Sequence, residues 1–139
     1  MQYHAKEHKC AIIVDNQLPV GLAANAVSVI GISFGKAIED IVGPDRHSRD
    51  DVCYPGVIYS PLPILSADAA AIADIHQRSL PEAGLYRMPF SALAQSCKTY
   101  DEYTDKLSQT DSTEISLVAL GLVGPRKLIN KLTGHLSLY

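Results

Sequence analysis

A chain of 139 residues with 47 % hydrophobic content and no tryptophan is one ordinary domain, with enough Leu, Ile, Val and Ala to build a core without disulfides. Its formal charge of -3 provides no overall basic field, which disfavours nucleic acid as a partner. Three cysteines, Cys10, Cys53 and Cys97, are too few and of the wrong parity for a stapled secreted fold. The first residues, MQYHAKEHK, carry no apolar run of signal-peptide type, so cytoplasmic residence is the default expectation.

Residues 10–14 read as a short, nearly continuous apolar strand of the kind found in a sheet covered on both faces. Asp15, Asn16 and Gln17 follow as three polar side chains at its end, and Pro19 and Gly21 shape the connection. A long apolar helix is expected from near Gly21 to Val42, stopped by Gly43-Pro44. No charged side chain occurs from Asn16 to Gly35, so this helix is expected to be covered on most sides. The segment is long enough to cross a membrane, but Asn16, Gln17, Asn25, Ser28 and Ser33 within it favour packing inside a domain, with no membrane partner. Gly31 and Gly35 share one side, where a strand is expected to pass close, while Asn25 and Ser28 lie one turn apart elsewhere on the surface.

Residues 44–54 form a polar loop containing Asp45, Arg46, His47, Arg49, Asp50 and Asp51, read as a solvated connection or as a lip over the end of the first strand. A strand over about 57–60 is expected next, then an extended stretch, because Pro61 and Pro63 forbid a regular central strand throughout. Ser66 is the expected N-cap of a helix through Leu80, with Asp68 in its first turn and His76 an ordinary surface or boundary residue. Leu85 to Phe90 reads as a strand and Ser91 to Cys97 as a brief helical turn. Thr99 and Glu102 form a capping-box pattern at the head of a further helix carrying Tyr100, Tyr103 and Leu107.

After a polar loop at 108–114, Ser116 to Val123 is the strongest strand of the second half. Gly124-Pro125 opens a short helix ended by Gly134, and Leu136 and Leu138 alternate with polar residues in a terminal edge strand. This alternation of strands and helices predicts an α/β fold. The expected architecture is a three-layer α/β/α sandwich around a small mixed, mostly parallel sheet. Ligands of open α/β sheets bind beyond the C-terminal ends of the strands, which makes Asp15, Asn16 and Gln17 the leading candidates. Asn25 and Ser28 join them from the helix, and His47 from the polar loop.

The stretch KCAIIVDNQLPVGLAANAVSVIG resembles the first strand, loop and helix of the type 2 peptidyl-tRNA hydrolase superfamily. The end, VALGLVGPRKLINKLTGHLSLY, resembles its last strand, Gly-Pro turn, short helix and Thr-Gly hairpin. Over nearly all its length the chain looks like a member of the DUF2000 family, a group of unknown function with that fold. The resemblance implies a type 2 peptidyl-tRNA hydrolase-like fold. It does not carry the activity across, because Ala23-Ala24 stand where those hydrolases have a glycine-lysine pair, and alanine cannot neutralise developing negative charge.

His47, Cys53 and the nearby Asp50 and Asp51 lack a recognised ligand spacing, and no glycine-rich nucleotide loop is present, so neither a metal nor a cofactor is expected. The expected function is binding of a polar small molecule or a peptide end at the strand rim. A divergent ester or amide hydrolase and a homo-oligomeric (for instance dimeric) interaction protein are the alternatives.

Overall fold

The computed structural model describes residues 1–139. In chain order the elements are β1 (His8–Asp15), α1 (Val20–Ala37), β2 (Arg46–His47), β3 (Cys53–Tyr54), β4 (Ile64–Ala67) and α2 (Ala69–Ser79). The second half adds β5 (Tyr86–Ser91), α3 (Ala92–Ser96), α4 (Tyr100–Ser108), a 3-10 turn at Ser112–Glu114, β6 (Leu117–Pro125), α5 (Arg126–Thr133) and β7 (Ser137–Leu138). Five strands form one sheet in the order β5-β6-β1-β4-β7, while β2 and β3 make a separate ribbon.

The apolar run at the head of the chain explains the three layers. Cys10 through Val14 have no exposed surface. Successive side chains of a strand point to opposite faces. Cys10, Ile12 and Val14 accordingly join Ala23, Ala26, Ile30 and Phe34 of α1 in one core, while Ala11 and Ile13 join Ile72 and Ile75 of α2 and Ile129 and Leu132 of α5 in another.

The expectation of a mostly parallel sheet is overturned. Only β1 and β4 pair in parallel; β1 with β6, β5 with β6, and β4 with β7 are all antiparallel. A parallel neighbour requires a crossover that returns along the full length of the sheet. The excursion from β5 to β6 makes no such return: α3 and α4 have five and nine residues, and the amide of Ala92 donates to the carbonyl of Ser116 at 2.9 Å. The chain re-enters the sheet where it left, so β6 runs back beside β5. Pro89 is tolerated because β5 is an edge strand.

Several boundaries also move. α1 ends at Ala37 instead of Val42, because Ile38 turns to an extended conformation and is buried with Ile41. The N-terminal segment secures that turn through Tyr3 N to Glu39 O at 2.8 Å and Gln2 Nε2 to Asp40 Oδ2 at 2.8 Å, with Asp40 in the left-handed region. The strand expected at 57–60 lies instead at Ile64–Ala67, after the prolines, and Val57 and Tyr59 are exposed. Asp68, not Ser66, caps α2, its Oδ1 accepting the Ala71 amide at 2.8 Å.

The first helix is covered on one side only. Its buried residues are Ala23, Ala26, Ile30 and Phe34, while Val20, Leu22 and Ile32 face outward. A side-chain carbon added at Gly31 or Gly35 would meet nothing within 4 Å, so those glycines do not serve the close approach. Gly121 of β6 does: a Cβ there would run into Ile30 and into Phe34 Cζ, the latter at 2.7 Å. α1 is long and apolar enough to cross a membrane by length and composition, but it lies on the sheet as a core helix of the domain.

Candidate functional site

β1, β4 and β5 all end on one rim, where β6 begins. The Val14–Ala119, Asp15–Ala67 and Ser91–Leu117 registers fix this arrangement. Asp15, Asn16 and Gln17 stand at that rim in a closed turn. Asp15 Oδ1 accepts the Gln17 amide at 2.9 Å, Gln17 Nε2 donates to Asn16 Oδ1 at 3.0 Å, and the Asn16 amide donates to the Ala67 carbonyl at 2.9 Å. The Asp15 side chain thus closes an Asx turn of the type this residue favours. Asn16 and Gln17 are exposed and Asp15 is partly so.

Asn25 Oδ1 accepts from Gln95 Nε2 at 3.2 Å, and the same amide donates to the Leu22 carbonyl at 2.9 Å, so Asn25 ties α3 to α1. Ser28 bonds back to the Ala24 carbonyl at 2.9 Å, the local satisfaction open to any helical serine. His47 is not brought to this rim. The eighteen residues of α1 carry the chain away from it by roughly 27 Å at 1.5 Å per residue. His47 lies in the ribbon that follows, opposite Cys53. Arg46 lies in the same ribbon, and its guanidinium donates to the Asp45 carbonyl at 3.4 Å. No group of three or more His, Cys, Asp or Glu side chains converges as metal ligands.

The larger recess at the rim opens on the α2 side of the sheet. It encloses about 700 Å³ between α2 and α4, floored by Pro89 and Ser91 of β5 and by Ser116 and Leu117. The six residues predicted from sequence do not border it. Ala69, Ala73, His76 and Leu80 supply one wall; Tyr103, Leu107 and Ile115 supply the other. This stripe of α2 is spaced by four, three and four residues, one side of a helix. Its small residues keep the space open. The alanine-rich, uncharged second face of α2 was the legible signal, but small side chains read equally well as filler.

His76 is a half-buried titratable group in the lining. Burial, and secondarily the charge of Arg87, push its pKa below the ordinary histidine value, so the imidazole is neutral at pH 7. Arg87 is itself held by the end of α2 and the turn that follows: Nη2 donates to the carbonyls of Ser79 and Glu82, both at 2.8 Å, and Nε to Ser79 Oγ at 3.2 Å. Ser91 is buried in the floor, and its Oγ accepts the Ala94 amide at 3.0 Å, leaving the hydroxyl proton to be donated. Apolar walls with a neutral imidazole and a hydroxyl can hold and orient an uncharged molecule that both donates and accepts.

Residues 8–139 match the model of the family described as "protein of unknown function (DUF2000)". The chain belongs to the DUF2000 family. Its fold is shared by the solved structure of a protein of unknown function from Agrobacterium tumefaciens. That structure superposes with a TM-score of 0.76 at 21 % identity, covering 96 % of this chain and 98 % of the other. No curated protein matches. The DUF2000 match runs from the start of β1 to the last residue and so takes in the rim, the recess and both helical layers.

Proposed function

We propose that this DUF2000 protein binds a small, mainly apolar molecule carrying a hydrogen-bonding group, in the recess between α2 and α4. The observation that carries this reading is a cavity of about 700 Å³ in which Ala, Leu, Pro and Ile side chains supply eight of the fifteen lining residues and His76 and Ser91 are among the polar ones. Ligand sites are characteristically of this size and composition. The recess lies at the same strand rim as Asp15–Gln17, on the face away from α1. The Asp15–Gln17 turn is a neighbouring polar surface in which the Asp15 carboxylate holds the Gln17 backbone amide and the Gln17 side chain donates to Asn16.

The test uses N-phenyl-1-naphthylamine, a neutral apolar fluorophore, with the wild type and with Ala73→Trp, which fills the recess from the exposed side of α2. Saturable fluorescence enhancement is expected for the wild type and its loss in the variant at unchanged thermal stability. Equal titrations for the two proteins would refute the assignment.

One observation favours the oligomeric alternative. The outer face of α1 combines exposed Val20 and Ile32 with Gly21, Ala24, Ser28 and Gly35 and no charge before Lys36. Two copies could bring such faces together without opposing like charges. A monomeric mass at all concentrations in light scattering would dispose of this reading.

The divergent-hydrolase alternative draws on the neutral imidazole of His76 as a proton acceptor. It requires ester or amide turnover that His76→Gln removes.

A further inference from the structure

At the opposite rim, where β1 begins and β6 ends, a second cleft of about 450 Å³ is walled by the Pro61–Pro63 segment and lined by His8, Lys9, Ser60 and Arg126. No acidic side chain lines it. Lys9 Nζ donates to Asn130 Oδ1 at 2.7 Å, and Arg126 Nη2 donates to the Ala5 carbonyl at 2.7 Å. Each bond uses a single donor, so two N–H groups on the lysine and four on the guanidinium are left over. Neither cation forms an ion pair; the two in the molecule are Arg78–Asp74 and Lys106–Glu102. His8 accepts the His4 amide at Nδ1, 2.9 Å away, which places the proton of its neutral form on Nε2. Ser60 adds a hydroxyl at the buried edge. α5 begins at Arg126 with no side-chain cap, so the positive end of its dipole adds to the same field.

We infer that this cleft is a binding site for a phosphate monoester, its phosphate held by Lys9 and Arg126. The six free N–H groups of the guanidinium and the ammonium offer more donors than the two oxygens of a carboxylate accept, whereas a phosphate dianion has three terminal oxygens to fill them. The volume exceeds what the phosphate needs and leaves room for the organic group that carries it. Two cations without an acidic partner line one cleft, and a bound dianion supplies the missing countercharge.

Inorganic phosphate is the probe, titrated into ¹⁵N-labelled protein and followed by amide chemical shifts. Saturable shifts are expected at the amides of residues 8–10, Ser60, Leu62 and residues 126–128, with acetate at equal ionic strength leaving them in place. Lys9→Met is expected to weaken binding about ten-fold or more, in line with the loss of one charge-assisted contact. Asn130→Ala removes the same native hydrogen bond but keeps the ammonium, so it is expected to bind as well as the wild type. The proposal is overturned by the lack of saturable shifts, by equal affinity in Lys9→Met, or by an equal loss in Asn130→Ala, which would make the lysine's role structural.

Discussion

Replacing Gly121 by alanine tests how α1 is seated on the sheet. Gly121 lies in β6 between Ile12 of β1 and Met88 of β5, so its backbone is held from both sides. A methyl group there falls against Ile30 and within 2.7 and 2.8 Å of Phe34 Cζ and Cε1. Both residues are buried, and the Phe34 ring already meets Tyr86 edge-on with centroids 6.0 Å apart, so it has little room to withdraw. Forcing one carbon into such a core costs about 1–3 kcal/mol. For a domain of this size about 1 kcal/mol corresponds to roughly 3–5 °C in melting temperature, so Gly121→Ala is expected to melt roughly 3–15 °C below the wild type.

Gly31→Ala is the control of opposite sign. A Cβ at Gly31 meets nothing within 4 Å, and exchanging a helical glycine for alanine contributes about 0.5–1 kcal/mol. Thermal and urea unfolding followed by far-UV circular dichroism gives both values. Finding Gly121→Ala within about 1 °C of the wild type, a shift below the expected cost, would refute the packing argument. So would a Gly31→Ala variant less stable than the wild type.

Arg87→Met removes three hydrogen bonds to the end of α2 and the turn after it and should cost about 2–3 kcal/mol in urea unfolding, the scale of bonds made by a charged donor. The same change should raise the His76 pKa, read by proton NMR, because one of its two depressing causes is gone. Because burial holds His76 below its unfolded value, the folded state binds fewer protons on acidification. Its share of stability is therefore complete above about pH 6.5 and is lost as pH falls from there through the folded pKa. Melting temperatures over that range should fall in the wild type and fall less in His76→Gln; parallel curves would rule out this linkage. Thr99→Ala deletes the cap whose Oγ1 accepts the Glu102 amide at 3.1 Å and should cost about 1 kcal/mol. Since α4 packs mainly on α3, hydrogen exchange at residues 100–108 should quicken more than global stability falls; uniform exchange across the chain would contradict that.

Much of the local structure was legible because it rests on short-range physics. The uncharged run Cys10–Val14 determined a strand covered on both faces, Thr99 with Glu102 determined the head of α4, and Pro125 followed by Gly134 bracketed α5. The family was also readable from the chain, whose resemblance to DUF2000 runs over nearly all its length. Helix limits were less so: Ile38 and Ile41 continue an apolar pattern equally well as helix or as turn, and only docking of Tyr3 and Gln2 decides between them.

What tertiary structure alone decided were direction and enclosure. Strand polarity depends on whether the intervening chain travels back across the sheet, and the Ala92–Ser116 bond shows that it does not, which no residue pattern encodes. Enclosure likewise depends on partners distant in sequence. Ala73 and His76 look like an ordinary outer helix face until Tyr103 and Leu107 stand across from them, and Lys9 and Arg126 look like scattered surface charges until β1 pairs with β6. The chain specifies what each short segment becomes, because capping and burial act over a few residues. A site needs several segments at once, and only their packing brings those together.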